Sequence, residues 1–171
     1  MSGGYFPLSA MVTKTEMVDL LKERTGGFVH GHTFSHHPVG CAVGLAVLRF
    51  MKEKKLIEQC ARRGEYLLKR LEKLIAFPFV GDVRGKGLMI GLELVKDRQT
   101  KEKAVEERSK IIRACFEKGL LILGAGENVI RFSPPLIITR EHADTALTIF
   151  EEVLKKVEKT SKNRIIVSKR K

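Results

Sequence analysis

The sequence predicts a mixed α/β (α+β) fold, and three observations along the chain support that class. From residue 38 to residue 74, apolar side chains recur every three or four positions, which is the period of a buried helix face. From residue 78 onward, short apolar runs alternate with glycine-containing turns, as they do in sheet strands. Residues 140–159 return to the helical period. Helices and strands therefore follow one another within a single chain of 171 residues.

The first 37 residues predict one strand and one short helix. Residues 6–13 form a mainly apolar run next to a pair of glycines, which predicts a buried strand. Residues 15–21 predict a helix with Thr13 or Thr15 as its N-cap, and Gly26 and Gly27 end it. The loop FVHGHTFSHHP follows and leads into the next helix.

Two helical stretches follow this loop. Pro38 suits the first turn of the first helix, because the N–H that proline lacks would have no helical partner there. The apolar residues of this helix predict burial, and Gly40, Ala42 and Gly44 are small enough for another backbone to approach closely. Residues 56–74 predict the second stretch. Its expected inward-facing leucines are Leu67, Leu68, Leu71 and Leu74.

The remaining residues predict a compact α+β part. The segment GKGLMIGLELV indicates a turn that precedes a strand over residues 88–95, and residues 104–118 predict a helix that Gly119 ends. Short strands are expected at residues 120–123 and 129–132, around a turn at residues 124–126. Thr139 is expected to cap the final helix. Residues 164–167 are expected to be either disordered or an additional edge strand.

Much of the net charge of +12 lies at the C-terminal end. The basic residues there are Lys155, Lys156, Lys159, Lys162, Arg164, Lys169, Arg170 and Lys171. A basic tail can bind phosphate backbones, but no aromatic residues alternate with these charges and no zinc-finger or RNP-like pattern occurs, which argues against a nucleic-acid partner. No stretch approaches the ~20 apolar residues of a membrane span, so no membrane role is expected.

The three cysteines form an odd set without paired spacing, so neither a disulfide framework nor a zinc site is expected. Cys41 and Cys115 fall at apolar helical positions, where a free thiol packs as a small hydrophobic group. Free thiols suit a reducing compartment, and the expected location is therefore the cytoplasm.

The loop HGHTFSHHP concentrates polar side chains just before a helix. Its histidines are His30, His32, His36 and His37. They first suggest a metal site, but the segment contains no Cys, Asp or Glu to complete the ligand set. An anion site is the better interpretation, because the first amides and positive dipole end of the helix from Pro38 favour a phosphate, with Thr33 and Ser35 as hydroxyl donors. The alternative is that Ser35 only caps the helix and the histidines are ordinary loop residues.

Arg131 stands in the otherwise apolar strand NVIRFSPPL. A guanidinium in such a strand needs a partner, and a substrate carboxylate bound bidentately is one. The alternative is that the side chain simply faces solvent.

The segment GKGLMIG is only a loose match to the dinucleotide fingerprint. It has one residue too many between its second and third glycines, and it precedes a strand, so it predicts a turn.

Four segments, in this order, resemble the C-terminal part of class III (omega-amino-acid type) PLP-dependent aminotransferases. They are MSGGYFPLSA, HGHTFSHHPVGCAVGLAVL, VRGKGLMIGLELVKD and NVIRFSPPLIIT, and the resemblance reaches to about Lys159. It implies an aspartate-aminotransferase-like fold in which residues 1–37 end the large PLP-binding domain. Residues 38–77 would then be connecting helices, and residues 78–171 the small C-terminal α+β domain with its basic tail.

The resemblance also implies roles for particular residues. Thr33 matches the threonine that binds the cofactor phosphate from the neighbouring subunit of a homodimer, and His32 beside it would contribute its backbone N–H at most. Arg131 matches the arginine that receives the substrate carboxylate. The family's Schiff-base lysine would lie two residues before Met1, so the resemblance implies that no catalytic residue lies in this sequence and that the isolated chain is inactive.

The implied reaction moves an amino group between an amino acid, with omega-amino acids expected, and a 2-oxo acid, with pyridoxal 5'-phosphate as the cofactor. The alternative function is a catalytically inactive, stand-alone binding or interaction module that keeps the same fold. The residues quoted above are common to both hypotheses.

Overall fold

The computed structural model describes the backbone of residues 1–168 and the side chains of residues 1–160. The chain divides into two compact units, Met1–Lys55 and Leu56–Lys171, and each is described by itself. The expected three-part division at residues 37 and 77 stays a prediction.

The first unit contains two helices, α1 (Thr15–Thr25) and α2 (Pro38–Glu53). Helix α1 ends as expected, because Gly26 adopts the left-handed conformation (φ 77°) and donates its N–H to the Lys22 carbonyl at 3.0 Å. The residue at its N-cap is Lys14, with no side-chain hydrogen bond, so the predicted threonine cap is wrong. Pro38 occupies the first turn of α2, as predicted.

The predicted buried strand over residues 6–13 is wrong. A strand needs a neighbour to share its backbone hydrogen bonds, and the described residues of this unit contain no strand at all. Residues 7–14 are irregular, and only Phe6 and Leu8 are partly buried from residue 5 to residue 14. Both pack on α2, where a Cβ at Gly40 would lie 2.7 Å from the Phe6 ring and one at Gly44 would lie 2.6 Å from Leu8.

The expected burial of α2 is also wrong for most of its apolar residues. Only Gly40 and Gly44 are buried, because the two side chains of the preceding segment cover that face alone. The large apolar side chains that stay roughly half exposed are Val39, Leu45, Leu48 and Phe50. An apolar helix face of this size is typical of a surface that another protein segment covers.

In the part of the second unit that the structure describes there are four strands and three α-helices. Its helices are α3 (Leu56–Glu72), α4 (Val105–Glu117) and α5 (Arg140–Ser168), and a short 3-10 turn spans Lys73–Ala76. The strands are β1 (Val80–Lys86), β2 (Met89–Leu94), β3 (Leu123–Ala125) and β4 (Val129–Phe132). They form one antiparallel sheet in the order β1-β2-β4-β3.

Three helices cover one face of this sheet. Alternate residues of the strands point into the core, where Ile90, Leu92 and Ile130 are at most 1% exposed. The helices contribute the opposing apolar side chains. These include Leu67 and Leu71 of α3, Ile111 and Cys115 of α4, and Leu147, Phe150 and Leu154 of α5. The core therefore lies between the sheet and the helix layer, and the other sheet face, here called the open face, carries the remaining side chains.

Most elements of this unit confirm the sequence prediction. Strands β2 and β4 and helices α3 and α4 match their predicted ranges closely. Thr139 caps α5, since its Oγ1 accepts the His142 N–H at 3.2 Å. Gly119 follows α4 with φ 83°, as expected of a residue that ends a helix.

Three details of this unit differ from the prediction. Strand β1 includes residues 80–86, although its glycines and charges indicated only a turn. Strand β3 begins at Leu123 and includes two of the residues predicted to turn, so the turn itself starts at Gly126 (φ 55°). The predicted edge strand at residues 164–167 is wrong, because α5 continues to Ser168, and the basic residues 169–171 lie outside the described residues.

The two helical cysteines also differ from each other. Cys115 packs in the core as predicted, and burial raises the pKa of its thiol to about 11, so it stays protonated at neutral pH. Cys41 is exposed, so its predicted packing is wrong.

No helix among residues 1–168 has the length and hydropathy required to cross a membrane.

Helix α3 rests directly on the hairpin between β1 and β2. A Cβ at Gly64 would lie 2.1 Å from the Gly87 carbonyl oxygen, so the two backbones touch. Gly87 itself has φ 56°, a left-handed conformation that glycine adopts without strain. These two glycines therefore fix the distance between the helix layer and this end of the sheet.

We expect Gly64→Ala to destabilise the second unit by about 2–3 kcal/mol, because the added methyl group must displace backbone rather than a movable side chain. Chemical denaturation followed by circular dichroism measures the change in the free energy of unfolding. Arg62→Ala, at an exposed position of the same helix, is the control and should change that free energy by less than about 0.5 kcal/mol. Equal stability of the Gly64→Ala variant would show that α3 does not rest on the hairpin.

Candidate functional site

The polar loop before α2 is closed by reciprocal hydrogen bonds. The His32 N–H donates to Ser35 Oγ at 3.0 Å, and the Ser35 N–H donates to the His32 carbonyl at 2.9 Å. The N-cap position of α2 is His37, which makes no capping hydrogen bond through its side chain. The alternative in which Ser35 caps the helix is therefore wrong, because its hydroxyl is used within the loop.

Thr33 lies at the tip of this closed turn. Its side chain is exposed, and its hydroxyl has no hydrogen-bond partner among residues 1–160. The first amides of a helix also lack intrahelical partners, and no side chain caps those of α2. Nδ1 of His37 is buried at the same helix start without a partner among the described side chains. The loop thus presents unused polar groups beside a positive helix end.

The histidine rings of the loop pack against aromatic rings and each other. His30 and His32 make an edge-to-face contact with ring centroids 4.9 Å apart, and the His37 ring lies 5.4 Å from that of Phe6. Among the described residues, no three His, Cys, Asp or Glu side chains converge in a way that could hold a metal ion. The His32 backbone N–H is already engaged by Ser35, so in this conformation it is not available to an anion.

Two arginines occupy one row of the open face in the second unit. The strand register pairs Arg84 of β1 with Gly91 of β2, and Gly91 with Arg131 of β4. Because side chains alternate between sheet faces, both arginines point away from the helix layer. Gly91 separates them without contributing a side chain. The next row of the same face contains Glu93, which pairs with Asp82 on one side and Val129 on the other.

Arg84 is held by two carboxylates. Its Nη1 donates to Asp82 Oδ2 at 2.6 Å and to Glu93 Oε2 at 2.8 Å. Hydrogen bonds to Glu93 and then to Asp82 raise the pKa of Arg84 above its usual value, so the group stays fully charged. The positive charge of Arg84 is thus compensated within the sheet.

Arg131 has no such partner. It lies between the buried residues Ile130 and Phe132, its side chain is exposed, and none of the described residues gives its guanidinium a hydrogen bond or an ion pair. Strand β4 then leads past Ser133 into Pro134 and Pro135, beside a groove of about 230 Å³. The exposed position agrees with the alternative in which the side chain faces solvent, and the role of Arg131 in binding a substrate carboxylate stays a prediction.

Thr33 and Arg131 stay predicted site residues, and the charge cluster around Arg84 was not predicted from the sequence. The missed signal was the alternation of Asp82, Arg84 and Lys86 with small or apolar residues, which is the period of a strand with one charged face. Glycines within that stretch concealed it. Thr33 and Arg131 belong to different compact units, and each is therefore described within its own unit.

The comparisons with known proteins agree on one protein family. The model of the aminotransferase class-III family matches residues 1–154. A leucine/methionine racemase from Thermococcus litoralis is 40% identical over 157 residues, covering 91% of this chain and 34% of the relative. A putrescine–pyruvate aminotransferase from Pseudomonas aeruginosa is 36% identical, covering 90% of this chain and 34% of the relative. The chain spans about a third of the length of these relatives.

Solved structures agree with the sequence comparison. A PLP-bound amine transaminase from an uncultivated Pseudomonas species superposes with a TM-score of 0.85 at 34% identity, covering 91% of this chain and 36% of that one. A transaminase from the marine bacterium Virgibacillus gives a TM-score of 0.84 at 33% identity, covering 93% and 38%. The mixed fold is therefore that of a segment of the PLP transaminases, and the chain belongs to the class III aminotransferase family.

Proposed function

We propose that the protein to which this chain belongs is a PLP-dependent aminotransferase that moves an amino group between an amino acid and a 2-oxo acid. The observation that supports it best is Arg131, a guanidinium that points from a rigid strand to the open face without a protein partner. A planar guanidinium binds a carboxylate with two parallel hydrogen bonds, so it fixes both the position and the orientation of the substrate. Amino acids and 2-oxo acids share that carboxylate.

The loop before α2 fits the phosphate of the cofactor. The Thr33 hydroxyl lacks a partner among the described residues, and the helix start supplies amides and a positive dipole. His32 was expected to offer its backbone N–H, but that group donates to Ser35, so Thr33 is the main phosphate ligand of this proposal. When bound, pyridoxal 5'-phosphate supplies an electron sink for bonds at the substrate carbon that carries nitrogen.

The residues of this chain orient and bind rather than react. Arg131 holds the substrate carboxylate, and Thr33 holds the phosphate end of the cofactor, so that the two anions are anchored at separate points. Omega-amino acids are the proposed donors, as the resemblance to the omega-amino-acid type of class III aminotransferase implies. The general acid–base and covalent steps are assigned to residues outside this sequence.

The proposed assembly is a homodimer in the cytoplasm. Helix α2 exposes about half of the surface of Val39, Leu45, Leu48 and Phe50, which is a surface suited to cover by a second copy or by other segments of the same protein. The free thiols favour a reducing compartment. Amino acids and 2-oxo acids are the proposed small-molecule partners.

Two other functions are compatible with the same residues. The 40% identical racemase acts on amino acids, so a carboxylate-binding arginine is equally suited to racemisation. A binding module without catalysis would keep the same two anion contacts.

A hybrid enzyme distinguishes the three functions. It is a class III aminotransferase in which residues 1–154 of this chain replace the corresponding segment. Amino transfer by the hybrid supports the proposal, and interconversion of enantiomers without transfer supports racemisation. A folded, PLP-loaded hybrid that does neither supports the binding module.

We expect Thr33→Ala in that hybrid enzyme to weaken the retention of PLP roughly ten- to a hundredfold, because a hydrogen bond to a charged phosphate contributes about 1.5–3 kcal/mol. Absorbance of bound cofactor during dilution measures the dissociation constant. Thr33→Ser is the control, because it keeps the hydroxyl and should retain PLP nearly as well as the unmodified enzyme. Normal retention in Thr33→Ala would remove Thr33 from the phosphate site.

We expect Arg131→Lys to lower kcat/KM for carboxylate substrates roughly ten- to a hundredfold, because an ammonium group cannot reproduce the two parallel hydrogen bonds. Simple amines without a carboxylate should react almost normally in their own half-reaction, and PLP retention should not change. Arg113→Lys, an exposed position on α4, is the matched control and should leave both substrate classes unaffected. If Arg131→Lys releases PLP while carboxylate substrates react normally, the roles of the two anion sites are exchanged.

A further inference from the structure

The open face carries two guanidinium groups at the same level of the sheet. Arg84 and Arg131 occupy one row, two strand spacings apart, so their Cα atoms are roughly 10 Å from each other. Gly91 lies between them and contributes no side chain of its own, although Cγ1 of Val129 in the next row would lie 3.2 Å from a Cβ placed on Gly91. Arginine side chains are several ångströms long, so two guanidiniums in this arrangement can reach the two ends of one small dicarboxylate.

The structure uses only one of these arginines for an external anion. Asp82 and Glu93 bind Arg84 at 2.6 and 2.8 Å, whereas Arg131 has no partner among the described residues. Both acids lie in the row next to the arginines and on the same face, and Glu93 is the more buried of the two, with its side chain 25% exposed. Both acids bind the same nitrogen, Nη1, so two negative charges lie beside the single positive charge of Arg84, and a further carboxylate would meet this net negative charge.

We propose that Asp82 and Glu93 determine specificity by keeping Arg84 unavailable, so that the open face binds one carboxylate at Arg131 and does not select dicarboxylates. This inference rests on the proposed role of Arg131 in binding the substrate carboxylate. Asp82 and Glu93 touch neither substrate nor cofactor in it, and act through the guanidinium that they hold. Lys86, two residue pairs further along β1, is an ammonium on the same face and does not offer the planar fork of an arginine.

Carboxylates of the protein and a carboxylate of a ligand would compete for the guanidinium of Arg84. An ion pair formed within a sheet loses little freedom, whereas a free dicarboxylate must also lose its own motion to use Arg84. Two internal carboxylates beside one guanidinium leave a net negative charge, which disfavours a third carboxylate from outside. Removing their charges without changing their shape should release Arg84 and leave the strand register intact, since the core side chains determine the register.

The test compares propionate and glutarate as probes of the full 171-residue chain. Nuclear magnetic resonance titration of the backbone amides of β4 gives both dissociation constants. For the unmodified chain we expect the two constants to agree within about threefold. In the double variant Asp82→Asn/Glu93→Gln we expect glutarate to bind about five- to tenfold more tightly and propionate to bind unchanged.

Three controls isolate the cause. The double variant Glu106→Gln/Glu117→Gln removes the same charge from exposed positions of α4, and should give no gain for glutarate. Adding Arg84→Gln to the Asp82/Glu93 variant should abolish the gain. Circular dichroism confirms that each variant is folded, and single variants Glu93→Gln and Asp82→Asn, each with a smaller gain, replace the double variant if it unfolds.

The outcomes separate this inference from the proposed function. If Arg131→Gln weakens both probes and removal of the acids gives no gain for glutarate, the specificity role of Asp82 and Glu93 is wrong while the role of Arg131 stands. If the gain persists without Arg84, or appears equally in the α4 control or with propionate, the specificity role is also wrong. If Arg131→Gln leaves propionate binding unchanged, the carboxylate site itself is wrong and both proposals fail.

Discussion

The burial of alternate strand residues under three helices is the constraint on which the rest of the second unit depends. Ile90, Leu92 and Ile130 are almost completely buried beneath α3, α4 and α5. Because side chains alternate strictly along a strand, a slip of one residue would expose this set and bury Arg131. The cost of burying an unpaired guanidinium adds to the loss of apolar burial. The register and the position of the arginine on the open face are therefore fixed by the same core.

The open face then distinguishes two arginines that the register makes equivalent. Both occupy the row that contains Gly91, but Arg84 belongs to the edge strand β1, whereas Arg131 belongs to β4, which pairs with a strand on each side. The difference lies in the adjacent row, where Asp82 and Glu93 accompany Arg84, whereas Val129 accompanies Arg131. A valine offers no hydrogen-bond acceptor. One guanidinium is thus a structural ion-pair partner, and the other has no protein partner among the described residues.

The sequence predicted most elements of the second unit, where the stabilising contacts lie within the unit itself. Helix α3 has its leucines on one face, and β4 has apolar residues on both sides of Arg131, so local pattern and final packing agree. Strand β1 was missed because glycines and charges disguised its alternation, and only its pairing with β2 shows that it is a strand. The ion pairs of Arg84 could not be predicted, because they depend on a register that joins residues from two strands.

The first unit shows the opposite case. Residues 6–13 have the composition of a strand, but the residues described around them supply no strand to pair with. Helix α2 has the apolar period of a buried helix, yet only its two glycines are covered. The sequence pattern indicates that these two elements are suited to pack against another protein surface. Composition alone does not identify which segment or subunit supplies that surface. The anion-binding interpretation of Thr33 stays a prediction, and the local turn and the uncapped helix start are the features that support it.

The central claim is that Arg131, and not Arg84, presents a free guanidinium for a carboxylate. Nitrogen-15 resonance of the arginine side chains in the full chain tests it directly during a titration with propionate. The account predicts that guanidinium rotation is fast at Arg131 and slow at Arg84 before propionate is added. It also predicts that propionate shifts the side-chain signal of Arg131 while that of Arg84 stays in place. A shift at Arg84 with none at Arg131 would contradict the account.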